Sequence, residues 1–256
     1  MISTFAELLE HLNISDACRI DKRVFKKLFL DSGALDTTDK KSLKDDVTQI
    51  RWLYTLKPST INIAEYSDSL REYSEVAVLH VELSSPNRME RIAHFINRSI
   101  PYPLVLLFTD QSVVGDSVSV SLATKRINQA HRDKWVLEEL VSSGWLNLGD
   151  QSELENEFLE SFKFTDLPFT DFWQLYQALL DRVVAMNCSV YNGAFIFSSK
   201  GSAGRLECLR ELEKLSALKL EILKKLKKEK RMGRQVELNT RVKDINDRIA
   251  EVKDSL

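Results

Sequence analysis

EVAVLHVEL, Glu75–Leu83, is the stretch on which the fold turns. Successive side chains of an extended chain point to opposite faces, so Ala77, Leu79, Val81 and Leu83 share one side, and Val76, Val78, His80 and Glu82 the other. The first side belongs in a core. Immediately downstream, Ser85 and Pro86 make a helix start: the serine oxygen can satisfy orphan amides, and proline in the first turn sacrifices no hydrogen bond. Met89, Ile92, Phe95 and Ile96 then recur at helical spacing, and IPYPLVLLF, residues 100–108, returns to an extended apolar run. Strand, helix and strand predict a crossover unit, right-handed if its strands are parallel.

On either side of this unit the pattern extends the sheet. SVSVSL, residues 117–122, predicts a strand with one apolar and one hydroxyl face, and IRWLYTL and TINI predict two short strands separated by Lys57-Pro58. Residues 1–49 read as a helical section. Thr4 and Glu7 have capping-box spacing before Phe5, Leu8, Leu9 and Leu12; Asp21 opens a second helix with Val24, Phe25, Leu28 and Phe29 on one face; Leu43, Val47 and Ile50 mark a third. After Trp145 helices return, with Ser152 and Glu155 as a second capping box and Thr170 as the cap of a long helix bearing Phe172, Leu175, Tyr176, Leu179, Val183 and Met186. The small polar stretch SSKGSAGR, residues 198–205, marks a linker.

The last segment is the most regular. Leu238, Val242, Ile245, Ile249, Val252 and Leu256 are spaced four, three, four, three, four, the seam of a coiled coil, and Leu212, Leu215, Leu218, Ile222 and Leu226 repeat more loosely before them. Gly233 lies between the two arms, where a residue of positive φ permits reversal. The expected fold is therefore α+β: a mixed sheet flanked by helices, with an antiparallel helical hairpin at the C-terminal end. Its sections are 1–49 (helical), 50–200 (α/β core) and 201–256 (hairpin). The seam spacing supports pairing within one chain or between two, so a homo-oligomer stays open.

Composition bounds the function. At 256 residues, 43% hydrophobic and 29% charged, the chain can bury a sizeable core. Its longest apolar run, Leu104–Phe108, is far short of a membrane span, and the start MISTFAELLEHLNI lacks the pattern of an export signal. Cys18, Cys188 and Cys208 suggest neither a disulfide framework nor a metal cluster, so a reducing cytoplasm is the expected home. Charge is uneven: residues 201–256 hold 15 Lys and Arg against 10 Asp and Glu, or +5, whereas residues 1–200 hold 21 against 28, or −7.

The basic block Lys224, Lys225, Lys227, Lys228, Lys230, Arg231 and Arg234 is the candidate contact for a partner or nucleic acid. Cations are also favoured near a helix C-terminus and on solvated coiled-coil positions, and no aromatic is interleaved to stack on bases. His80 and Glu82 share a strand face with Glu75 nearby, which suggests a magnesium-dependent carboxylate nuclease, but Ser84 stands where that motif carries lysine. KGSAGR lacks the Gly-Lys-Ser/Thr ending of a phosphate loop. His11, His94 and His131 make no metal spacing, and Cys18 has no neighbour that nominates it as a nucleophile. Trp135 and Trp145 read as core or interface residues, and Trp52 and Tyr54, two apart on one strand, could line a groove. No catalytic residue, metal ligand or cofactor is assigned.

RVFKKLFLD, IRWLYTLKPSTINI, EVAVLHVEL, FINRSIPYPLVLLF and KEKRMGRQVELN, in this order along nearly the whole chain, resemble a bacterial family catalogued as domain of unknown function 4391. The resemblance implies no activity and no catalytic residues. It implies companionship with DNA methyltransferases and helicases in restriction or phage-defence gene clusters. The leading expectation is a non-catalytic adaptor subunit of a DNA-targeting defence complex, docking a helicase or methyltransferase through its hairpin. The alternatives are a DNA-binding module using the basic tip and a divergent nuclease using Glu75 or Glu82.

Overall fold

The computed structural model describes residues 2–31, 33–112, 115–131, 135–197 and 203–256. In chain order they form α1 (Phe5–Leu12), β1 (Arg19–Arg23), α2 (Lys26–Asp31), α3 (Thr37–Asp45), β2 (Val47–Leu56), α4 (Pro58–Ile61), β3 (Tyr66–Ser67), β4 (Glu72–Tyr73), β5 (Val76–Leu83), α5 (Met89–Ser99), β6 (Leu104–Asp110), β7 (Ser117–Ile127), β8 (Trp135–Ser142), β9 (Leu146–Asn147), α6 (Glu153–Glu160), α7 (Phe172–Asn192), α8 (Ala203–Leu226) and α9 (Met232–Lys253). The fold is α+β. Seven strands form one mixed sheet in the order β1-β2-β5-β6-β7-β8, with β9 also paired to β7, and β3 and β4 make a separate ribbon. Within the sheet β5 and β6 run parallel, joined through α5, and the other pairs are antiparallel.

The alternation in β5 divides two cores. Ala77, Leu79, Val81 and Leu83 meet Ile92, Phe95 and Ile96 of α5, together with Phe29 and Leu43. Val76 and Val78 face the larger core built with Leu8, Phe158, Phe172, Tyr176 and Val183. The sheet is thus covered on both faces, which is why β7 buries its serines as well as its valines. Ser117, Ser119 and Ser121 are buried opposite the face of Val118, Val120 and Leu122, and Ser142 donates to Ser121 Oγ at 2.9 Å.

Two buried polar side chains tie the layers together. Tyr176 of α7 reaches the end of the β6–β7 ladder, where its hydroxyl lies 2.7 Å from Leu104 O and accepts the Ala123 N–H at 2.9 Å. Lys125 of β7, 1% exposed, donates to the carbonyls of Ile100 at 2.6 Å and Tyr102 at 2.5 Å, fixing the chain as it leaves α5.

Several local expectations are corrected. The 1–49 section is not wholly helical, since β1 pairs with β2 where a helix opening at Asp21 was expected. All five residues of β1 are exposed, so no apolar alternation advertises it. Val47 and Ile50 belong to β2 rather than to a helix, and TINI contributes to the short helix α4, where Pro58 occupies the first turn and Thr60 Oγ1 accepts the Lys57 N–H. Asp171, not Thr170, caps α7 by accepting the Gln174 N–H at 2.8 Å. β8 had no counterpart in the sequence reading, because its side chains are mostly half-buried without a clear alternation. The capping box at Ser152 and Glu155 forms in full. At Thr4 only the forward bond forms; Glu7 reaches back to the Ser3 N–H instead. Of the expected linker, residues 198–202 lie outside the described residues, and 203–205 already belong to α8.

Candidate functional site

Helices α8 and α9 pack against each other along the repeat that the spacing marks. Ile222, Leu238 and Ile245 are buried between them, flanked by half-buried Leu215, Leu226, Val242 and Ile249, so these seam residues of the two arms pack on one another within the chain. Val252 is buried nearer the body. Leu218, placed in the looser arm, is instead exposed. The reversal spans 227–231 and is not made by Gly233, which sits in the first turn of α9 without a positive φ. Glu229 builds the turn. Its Oε1 accepts the N–H groups of Lys230 and Arg231 at 2.9 Å each, and its carbonyl accepts from Gln235 Nε2 at 2.8 Å. An acidic residue inside a basic block was the available clue, since its carboxylate can accept the N–H groups of the turn that follows it.

All seven cations of the block are exposed. Lys225 pairs with Glu221 at 2.5 Å, and this hydrogen bond holds the Glu221 carboxyl below its usual range. Among the described residues the other six have no ion-pair partner. Beside them Met232 is 81% and Val236 61% exposed, so the tip combines positive charge with uncovered apolar surface.

The opposite end of the hairpin is rooted in the body. Leu209 is part of the larger core, with Leu206 and Leu256 packed against it. Arg210 pairs with Glu139 of β8 and Lys253 lies 5.4 Å from the ring centroid of Tyr191 in α7, while within the hairpin Arg248 bridges Glu211 at 2.7 Å and Glu251 at 2.9 Å. The arm is therefore anchored at this end, and among the described residues no hydrogen bond or ion pair joins its tip to the body.

A second polar group lies at the carboxyl ends of β5 and β6. His80 contacts Thr109 Oγ1 at 2.7 Å, stacks on Phe5 at 4.2 Å between ring centroids, and lies 4.0 Å from Glu82. Burial pushes the imidazole down to about 4, and the nearby Arg51 guanidinium acts in the same direction, so the ring is neutral at neutral pH. Gln111 donates to Glu82 at 3.0 Å. Glu75 does not join this group. It precedes β5 at the other end, pairs with Lys57 at 3.2 Å, and stands seven residues, or about 23 Å of extended chain, from Glu82. Among the described residues no group of three His, Cys, Asp or Glu is arranged to hold a metal ion.

The remaining sequence candidates do not converge. A register shift between Trp52 and Tyr54 sends Trp52 to the α5-side core and Tyr54 to the α7-side core, so the two do not line one groove. The Cys18 thiol is buried against Thr60 Oγ1 at 3.3 Å, and desolvation raises its pKa. Cys188 is pushed up to about 11 by burial, the reverse of nucleophilic activation. His11 contacts Glu160, while His94 and His131 are exposed. Trp145 packs at the edge of the α5-side core, and Trp135 is half-buried.

Comparison with known proteins gives one match. The family model described as "Domain of unknown function (DUF4391)" covers residues 12–249. The chain belongs to the DUF4391 family. The match takes in the whole sheet, the α5-side core, most of the larger core and nearly all of the hairpin, so in DUF4391 the arm is part of the family unit. No curated protein and no solved structure matches significantly. Among the described residues of this DUF4391 chain, no helix is long and apolar enough to cross a membrane.

Proposed function

We propose that this protein is a non-catalytic adaptor subunit of a multi-protein, DNA-targeting defence assembly, and that it docks its partner through the hairpin tip. One observation carries the reading: an arm rooted in the core presents Met232 and Val236 uncovered beside six unpaired cations. Exposed apolar side chains at the free end of a stable two-helix arm suit a partner groove, with the cations orienting the approach. The class of partner, a helicase or methyltransferase, rests on the family's resemblance to companions of those enzymes. Tagged protein co-expressed with its neighbouring genes tests this by the masses that co-purify. A stoichiometric partner is expected with the native arm and lost with Met232→Glu/Val236→Glu. Native protein that purifies alone under these conditions overturns the reading.

The cations themselves favour a second reading, direct contact with DNA. Lys224→Glu, Lys227→Glu and Lys228→Glu together should then abolish retention on duplex DNA and flatten its salt dependence, because phosphate contacts release counterions. Unchanged retention excludes the tip. The nuclease alternative rests on Glu82 alone, and magnesium-dependent cleavage lost in Glu82→Ala is the result that would revive it.

A further inference from the structure

At the β1 edge of the sheet, far from the hairpin, a recess of about 300 Å³ is lined by Ile20, Val24, Leu28, Phe29, Trp52 and Ile100, with Lys22 and Arg23 on its rim. Its floor is buried Phe29 and half-buried Trp52, whereas Ile20 is 42%, Phe25 63% and Leu28 65% exposed. Large apolar side chains left uncovered around a concave floor mark an interaction surface. Charge narrows the occupant. Residues 19–31, RIDKRVFKKLFLD, carry five Lys and Arg against two Asp, an island of +3 in a body of net negative charge. Asp21 is occupied by Arg51 at 2.5 Å and Arg19 at 3.6 Å, and Lys26 is turned to the carbonyls of Lys44 and Val47. Arg23 lies over the Phe25 ring at 5.9 Å. Among the described residues Lys22 and Arg23, which line the recess, have no ion-pair partner, nor has exposed Lys27, and exposed Asp31 is the acid left on this segment.

We infer that this recess takes a peptide segment of another protein in which large apolar residues are flanked by Asp or Glu. Two features disfavour a second copy of the same edge. Antiparallel self-pairing centred on Asp21 would set Asp21 against Asp21 and Arg19 against Arg23, and like charges directly opposite are destabilising. The backbone at Asp21, with φ of +47°, also interrupts the register with β2, and such a bulge blunts an edge strand. The peptide is therefore held by side chains in the recess, with its carboxylates on Lys22 and Arg23 at the rim. A lipid surface would meet the same charge and the exposed Phe25 and Leu28, but the recess itself is concave, with Phe29 buried and Trp52 half-buried inside it.

Panning a random peptide library on the full-length protein tests the assignment. Enriched peptides should combine Leu, Phe or Trp with Asp or Glu. Synthesised and labelled, they should bind Leu28→Glu at least tenfold more weakly and Lys22→Glu/Arg23→Glu severalfold more weakly, with unchanged circular dichroism. Met232→Glu/Val236→Glu should bind them as the native protein does, which separates this site from the hairpin reading. Absence of enrichment, enrichment of basic peptides, or binding indifferent to Leu28→Glu overturns the inference. Sedimentation with phosphatidylserine vesicles that Leu28→Glu abolishes would replace the peptide with a membrane.

Discussion

Tyr176 and Lys125 show how single side chains hold the layers in register. Tyr176→Phe keeps the ring but leaves Leu104 O and the Ala123 N–H short of a buried partner, so it should cost about 1–3 kcal/mol. Urea denaturation would show this as a lower midpoint at unchanged slope. Lys125 predicts a pH effect of definite sign. Burial pushes its amine down to about 7 from a usual value near 10.5, so between these limits the unfolded chain binds the extra proton and stability rises with pH. The stabilisation is complete above the unfolded value and is lost as pH falls through about 7. The neutral amine keeps two N–H groups, enough for both carbonyls. The wild type should therefore gain stability from pH 7 to 10 relative to Lys125→Met, with a slope approaching about 1.4 kcal/mol per pH unit. Equal slopes in the two proteins would refute it. At this scale the sequence reading placed Tyr176 in the core through its helical spacing. It passed over Lys125, because a lysine in a strand announces nothing until the carbonyls that receive it are in place.

At the scale of elements, legibility followed burial. β5, α5 and β6 were readable because each buries a periodic set of residues, and the hairpin because its seam repeats over three turns and more. β1, exposed throughout, and β8, half-buried, left no such pattern. Gly233 misled for a different reason: glycine permits reversal, yet a five-residue connection organised by Glu229 needs no positive φ there. The basic tip residues were legible as an exposed cluster, but their uncovered apolar neighbours Met232 and Val236 lie off the seam and gave no periodic signal. The seam predicts local behaviour. Because Ile222, Leu238 and Ile245 form a cluster separate from the body's two cores, Ile245→Ala should cost about 2–5 kcal/mol within the arm. Hydrogen exchange should quicken at least tenfold from Leu215 to Ile249 while β5 amides stay protected. Equal acceleration in β5 would mean that arm and body unfold as one unit.

Across the whole molecule, the two exposed apolar surfaces are associated with opposite edges of the sheet. The recess belongs to β1, the hairpin is rooted beside β8, and five strand spacings, about 24 Å, separate those edges. Sites so far apart with no shared side chain should act independently. Leu28→Glu should leave capture of a hairpin partner unchanged within about twofold, and a two-partner titration should reach a ternary complex; mutual exclusion would contradict this arrangement. The 24 residues of α8 make a rod about 36 Å long, held at its root by Leu206, Leu209, Arg210 and the end of α9. Such a rod is a lever. The root contacts span about one interhelical distance, 8–10 Å, so a sideways pull at Lys228 reaches them multiplied roughly fourfold. Whatever grips the far end strains Glu139 and Tyr191 first, and through them the edge strand β8 and the end of α7.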